Sequence, residues 1–581
     1  MKRVVVVGLT LSLFVLAVPS GQGQSIGPKP CGLTTLDGTL DYSGLEDGQT
    51  LACGPGQKLV VRTKFADAHK KRARGRKPLM TLFTIADVQL ADEESPLRAE
   101  FLDKCEEHPA TAAFRPHETM VPHLLNAHLQ AANTIAESGG PVLGQDFDLA
   151  MGLGDLADNN QFNEIRWIID LFDGNMLVDP DSGADGYEGV QGTEPEGAPN
   201  ALIGSPVDGT SIIELANEPF WAEGLRPDGK PLPWYSLPGN HDVKVQGTAP
   251  NEAEWREAAN AWAQGSVKFT DLPPDQQQKA CEGGFGPEDF ALLAQNPGAA
   301  KQVTADEKRH LLTREEWAQE HFTTTGLPKG HGYNTSRCTT PDGELLERLC
   351  YSWNEGKFHM IGLDTNPHEG LEDGNVDDPQ FQWLERELIA NSKTYYAADG
   401  AKKTNPDAKN RMIVIFGHHP QQSMTNTETE GAHQAQELKA LLLRFPNVIM
   451  FANGHTHQNR IWGRKDKKLG TGYWEVNTSA IADVPTQSRT IEIARNGDGT
   501  LSIFAVVFDA AISPNARLIN WAEHDRTHEV DHGAEININE SWLASWGREV
   551  MFYDPQQDLT KIGTPKDRNV ELLLKAPRWL R

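Results

Sequence analysis

The stretch Asn447–His457, NVIMFANGHTH, decides how the chain is read. An apolar run from Val448 to Ala452 gives way at Gly454 to two histidines, His455 and His457. A continuous apolar run of this length reads as a strand buried on both faces, because a half-exposed strand alternates apolar with polar. The same grammar recurs upstream in PLMTLFTIADVQ (Pro78–Gln89), DFDLAMGLGDLADNN (Asp146–Asn160), LPWYSLPGNHD (Leu232–Asp242), KFHMIGLDT (Lys357–Thr365) and RMIVIFGHHP (Arg411–Pro420). Each run is followed closely by Asp, Asn or His. Between them lie stretches of helical period: Pro122–Glu137, Asn163–Phe172, and Gln380–Ala390 with Phe381, Leu384 and Leu388 on one face. Strand and helix alternate, so the core is α/β. In such sheets ligands gather at the carboxyl ends of the strands.

The chain has 581 residues, enough for more than one ordinary core, and a formal net charge of −27. That charge argues against nucleic acid or an anionic membrane surface as a main partner, since both would repel it. The basic run His69–Lys77 goes against the trend and reads as a solvated lead into the first core strand. At the N-terminus Lys2 and Arg3 precede an apolar stretch, Val4–Val18, and then small or polar residues from Pro19 to Ser25. This is the pattern of a secretory signal peptide over residues 1–24, too short for a membrane span. The expectation is a secreted or periplasmic protein with no stable membrane insertion after cleavage. Six cysteines fit an oxidising compartment. Cys338 and Cys350 flank a Pro-Asp-Gly turn and are expected to pair across a hairpin, and Cys31 with Cys53 would clip the N-terminal segment, although six cysteines leave connectivity open.

The expected organisation is an extended lead-in over 25–78 and a core over 79–460 with long polar insertions near 178–230 and 243–335. A β-rich region over 461–581 is expected to pack on that core. Within the first insertion, Asp179–Gly189 has the look of a calcium loop, but Gly192 stands where the closing glutamate belongs, so it reads as a flexible rim loop.

The strand ends offer Asp87 with Gln89, Asp155 with Asp158, Asn240 with His241 and Asp242, His418 with His419, and His455 with His457. Carboxylate, amide and imidazole without thiolate suit borderline and hard divalent ions. On an extended segment residues i and i+2 point to one side, so His455 and His457 are expected to face one site.

In order, DVQ, GDLADN, GNHD, GHHP and GHTH resemble the signature of the calcineurin-like metallophosphoesterases, over roughly residues 80–460. The resemblance implies a four-layer α/β/β/α sandwich and two divalent metal ions (Mn, Fe, Zn or Mg). Asp87 would bind the first ion, Asp155 would bridge both, and Asn240, His418 and His455 would hold the second, with His457 completing the first site. His241 would protonate the leaving oxygen and Asp158 would orient it, although Asp158 also reads as the N-cap of the helix that follows. The substrate implied is a small phosphate ester, monoester or diester.

Two departures stand out. Gln89 occupies the position of a family histidine. It reads as an oxygen ligand to the first metal, as a partner of a metal-bound water, or as the mark of a seldom-filled site, the first being preferred. Asn159 stands where the protein serine/threonine phosphatases of the family carry a phosphate-gripping arginine, which weighs against that activity. His419, Asn160 and His331 are the remaining candidates for holding substrate. The rival to an exported phosphoesterase is a non-catalytic metal- or phosphate-binding protein that retains the fold.

Overall fold

The computed structural model describes residues 30–42, 51–104, 113–184, 186–191, 212–249, 253–281, 300–512, 536–554 and 557–580. The expected signal peptide lies outside them.

Two seven-stranded mixed sheets form the body of the chain. The first runs, in spatial order, Val60–Arg62, Val570–Lys575, Thr500–Asp509, Gln487–Arg495, Lys77–Ile85, Leu149–Gly152, Trp234–Ser236. The second runs Ser336–Arg337, Tyr351–Glu355, Phe358–Gly362, Met412–Phe416, Val448–Asn453, Thr471–Asn477, Arg460–Asp466.

The continuous apolar runs have their physical reason in the layering. Met412, Val414 and Phe416 point into the main core between the sheets. Their neighbours Ile413 and Ile415 point the other way, onto Leu384, Leu388, Leu438 and Leu442 of the helices Asp378–Ala390 and Ala435–Leu443. Tyr235 of the first sheet stacks on Trp353 of the second at 4.1 Å, and Trp474 Nε1 donates to the Leu573 carbonyl at 3.2 Å. On the outer face of the first sheet, His128 of helix Val121–Ser138 meets Ser488 and Phe508. Helix Ile536–Tyr553 lies along that helix. The order is helix, sheet, sheet, helix, the layered α/β sandwich expected from the sequence.

The stretch after Arg460 does not pack on a finished core. Thr471–Asn477 pairs in parallel with Val448–Asn453, and Gln487–Arg495 pairs directly with Lys77–Ile85. Thr500–Asp509 and Val570–Lys575 extend that sheet, and Val60–Arg62 from the lead-in borders its far side. Short strands announce themselves locally but their partners do not, because pairing is set by contacts across hundreds of residues.

The helices begin where their caps place them. Asp377 accepts from Gln380 N at 3.0 Å before Asp378–Ala390. Phe162–Asp173 is capped by Gln161 in a reciprocal box with Glu164, so Asp158 is not its cap. Cys31–Cys53 and Cys338–Cys350 are disulfide-bonded, while Cys105 lies outside the described residues. No described helix is long and apolar enough to cross a membrane. The expected flexible loop after Asp179 is pinned, because Ser182 Oγ donates to Asp92 at 2.8 Å and accepts from Arg309 Nη2 at 2.7 Å.

Parallel pairing positions the site. Lys77–Ile85, Leu149–Gly152 and Trp234–Ser236 run parallel, as do Phe358–Gly362, Met412–Phe416 and Val448–Asn453. Their carboxyl ends therefore share an edge in each sheet, and Asp87, Asp155, Asn240, His418 and His455 follow those ends.

Candidate metal centre

The backbone marks the site before any side chain does. Twelve described non-glycine residues have left-handed φ, and five of them are Asp87, Gln89, Asp155, His455 and His457, with φ between 47° and 70°. Such conformations cost on the order of 1–3 kcal/mol each and gather where the surrounding structure over-determines a functional geometry. Gly154 (φ +92°) is required sterically, since a Cβ there would sit 2.6 Å from Gly239 N and 2.7 Å from His418 Nδ1. Because His455 and His457 are both left-handed, the segment is not extended. His455 joins His418 and Asn240, whereas His457 turns toward Asp87.

Two donor clusters adjoin. In one, Asn240 Oδ1 lies 3.0 Å from His418 Nε2 and 3.1 Å from His455 Nδ1, the two ring nitrogens being 3.3 Å apart. In the other, donor atoms of Asp87, Asp155 and His457 lie within 4.8 Å of one another. Asp155 touches both, its Oδ2 standing 3.1 Å from His418 Nε2.

These donors fit divalent cations. His418 Nδ1 donates to the Leu153 carbonyl at 2.9 Å, which in the neutral ring leaves the Nε2 lone pair facing two oxygens at hydrogen-bond distance. Lone pairs facing lone pairs require a proton or a cation between them. Burial pushes the Asp87 carboxyl up to about 8 even though His418 opposes the shift, so its charge lacks a sufficient counter-charge in the protein alone. Burial lowers His457 to about 4 and His455 well below the usual imidazole range, which keeps both neutral, as metal ligands must be. The Nδ1 of His457 bonds Asp483 Oδ2, the carboxylate–histidine arrangement that orients a metal-binding imidazole.

Gln89 meets an arginine at its amide oxygen. Its Oε1 accepts from Arg115 Nη2 at 2.7 Å, and a guanidinium at that oxygen repels a second cation there. The arrangement found is an arginine anchor rather than an open metal ligand. His419 has both nitrogens engaged, Nδ1 with Thr365 Oγ1 at 2.8 Å and Nε2 with the Glu372 carbonyl at 2.7 Å. His331 stacks on Trp234 at 3.4 Å, Asn160 donates to the Leu312 carbonyl at 2.9 Å, and Asn159 bonds Glu164. Unlike Gln89, the residues His419, His331, Asn160 and Asn159 do not line the cavity over the clusters.

His241 stands beside Asn240 with its backbone N–H donating to Asp155 Oδ1 at 2.8 Å. Its Nδ1 is 3.0 Å from the Asp158 carbonyl oxygen and also 3.0 Å from Asp158 Oδ1. The hydrogen bond goes to the carbonyl, and the carboxylate, whose Oδ1 has no well-angled donor, acts by charge. Burial alone would lower the His241 pKa, but Asp155 and Asp158 outweigh it and raise it to about 9. A cation held at Asp155 would offset that carboxylate's pull on His241. Burial would likewise raise Asp158, and Arg98 and His241 hold it below the usual carboxylate range instead. Arg98, fully buried, bonds both Asp158 and Glu118. Asp242 ties the loops together by accepting from Gly239 N at 2.7 Å and Ala157 N at 3.0 Å.

Sequence reasoning missed Arg98, Glu118, Arg115, Asp483 and Lys561. Asp483 alone left a signal: it follows a strand and the run Ala480–Ala482, the same grammar as the ligand strands. The cavity over the clusters holds about 230 Å³, with His241, Asn240, His455 and His457 on its wall together with Arg115, Asp483 and Lys561.

Fold and site together define a layered α/β sandwich with two adjoining nitrogen–oxygen donor clusters at the carboxyl ends of its strands. No protein-family profile and no curated protein sequence matches the chain. Among solved structures it is similar to a dimetal phosphatase from Danio rerio, at 12% identity over 75% of this chain and 100% of that one, with a TM-score of 0.31. It is also similar to the sulfate thiohydrolase SoxB of Thermus thermophilus in complex with glycerol, at 11% identity over 75% of this chain and 58% of that one, with a TM-score of 0.28.

Proposed function

We propose that the protein is an exported metal-dependent phosphoesterase acting on a small phosphomonoester or phosphodiester. The observation that carries the reading is Asp155, one carboxylate shared by two buried donor clusters with His241 directly beside it. Asp87, Asp155 and His457 would hold one divalent ion, and Asp155, Asn240, His418 and His455 the other. Ions held there supply charge neutralisation for phosphoryl oxygens and a source of hydroxide at neutral pH.

The rest of the work falls to the chain. His241, its Nδ1 fixed by Asp158, presents Nε2 to give a proton to the leaving oxygen. Arg98 holds Asp158 in place from behind. The disulfides and the N-terminal sequence pattern support export.

One observation favours the rival, a binding protein without turnover: Arg115 engages Gln89 and leaves the first cluster with three donors. Manganese-loaded protein assayed on p-nitrophenyl phosphate and its bis ester separates the two. Hydrolysis that falls about 10²–10⁴-fold in His241→Ala at unchanged metal content supports the enzyme. A loaded protein silent across a broad ester panel supports the rival.

A further inference from the structure

Of the two departures of this sequence, Gln89 lies on the cavity wall and Asn159 does not. The residue after Asp158 is Asn159, which is turned inward onto Glu164 and grips nothing in the cavity. Gln89 holds Arg115, and Arg115 Nε pairs with Asp483 at 3.0 Å. Lys561 reaches the same carboxylate from the C-terminal segment, its Nζ 3.7 Å from Asp483 Oδ2. That is ion-pair distance without a hydrogen bond, and among the described residues the ammonium has no hydrogen-bond acceptor.

The placement of Lys561 is built. It sits in the short helix Leu559–Ile562, whose Asp558 cap accepts from Thr560 N at 2.8 Å. Its carbonyl accepts from Asn459 N at 2.9 Å, so the turn is fastened to the chain just after His457. The side chain is 26% exposed and lines the cavity, in contrast to Arg115 at 3%. Asp483 faces both cations, Arg115 in a hydrogen-bonded pair and Lys561 at ion-pair distance alone. The other acidic groups on the cavity wall are Asp155 in the donor clusters, Asp158 paired with Arg98 and His241, and Glu372.

We propose that Lys561 is a substrate-binding residue that hydrogen-bonds non-bridging phosphoryl oxygens, with Arg115 supplying charge behind it, and that it biases the site toward dianionic phosphomonoesters over monoanionic diesters. The assignment rests on the phosphoesterase reading and deepens it. An ammonium with three donors and no acceptor of its own recognises charge rather than shape. A dianion offers it more charge than a diester does.

The test is inorganic phosphate titrated calorimetrically into manganese-loaded wild type, Lys561→Met and Lys561→Arg, with bound manganese counted in each. A charge-assisted contact predicts about tenfold weaker phosphate binding in Lys561→Met, recovered largely in Lys561→Arg, at unchanged manganese content. Kinetics should show a similar loss in kcat/KM, carried by KM, for p-nitrophenyl phosphate, and a smaller one for the bis ester. Equal phosphate affinity in wild type and Lys561→Met, or no phosphate binding by loaded wild type, overturns the assignment. A protein that hydrolyses neither ester fails the phosphoesterase reading instead, while the phosphate titration still reports on the lysine.

Discussion

Arg98→Met probes the support behind His241. Arg98 is fully buried and bonds two carboxylates, Glu118 through Nε at 3.1 Å and through Nη2, and Asp158 through Nη1. Removing one partner of a buried ion pair costs about 3–5 kcal/mol, because the remaining charge is left without compensation. Burial already lifts Glu118 to about 7 against the pull of Arg98. Without the guanidinium it takes a proton at neutral pH, which trims the loss toward the lower end. The expectation in urea unfolding is therefore about 3 kcal/mol, more than a hundredfold in the folding equilibrium. Asp158 also loses its anchor, so kcat should fall by about 10–100-fold, less than in His241→Ala. The double variant Arg98→Met with Glu118→Leu separates the two roles: replacing the Arg98–Glu118 pair by apolar groups recovers the part of the stability lost at Glu118, but kcat stays low because Asp158 remains unheld. A single variant within about 0.5 kcal/mol of wild type would place it among inconsequential surface changes and refute the buried-pair reasoning. Recovery of kcat in the double variant would refute the positioning role.

Other expectations follow from the same geometry. Asp483→Asn weakens the support of His457 and should lower affinity for the more weakly held manganese by about 10–100-fold in a metal titration; unchanged affinity would mean that Asp483 does not orient that ring. Gln89→Ala should leave the manganese count at its wild-type value, because the amide bonds Arg115, and loss of one ion would restore Gln89 as a ligand. Glu164 is buried beside Asp158, and burial first, then that charge, raises its pKa from 4.5 to about 8. A carboxyl with a raised folded pKa contributes stability that is fully present below 4.5 and lost as pH rises through about 8, up to about 5 kcal/mol at roughly 1.4 kcal/mol per unit. Glu164→Gln should flatten the stability–pH curve of the metal-free protein across that window; an unchanged slope would refute the burial argument.

The local half of the structure was legible in the sequence. Val448–Asn453 and Met412–Phe416 show continuous apolar runs because both of their faces are covered, and Asp378–Ala390 shows its period because one face is. The residues following those strands could be named because function sits at strand ends. Partners brought from far along the chain could not be named. Thr500–Asp509 looks like a peripheral strand until Gln487–Arg495 carries it into the first sheet. Arg98 and Lys561 stand in no motif, and each acquires its role only from a carboxylate it meets in space, Asp158 and Asp483 respectively. The rule for extended chain puts His455 and His457 on one side of the chain, but left-handed backbone at both turns them to adjoining clusters, the division that the resemblance implies.

Elemental analysis of the purified chain after manganese loading and removal of free metal tests the central claim most directly. Two buried donor clusters joined at Asp155 predict two ions per wild-type chain and at most one in Asp155→Asn with the fold intact. A wild type that retains no ion, or an Asp155→Asn chain that keeps both, would contradict it.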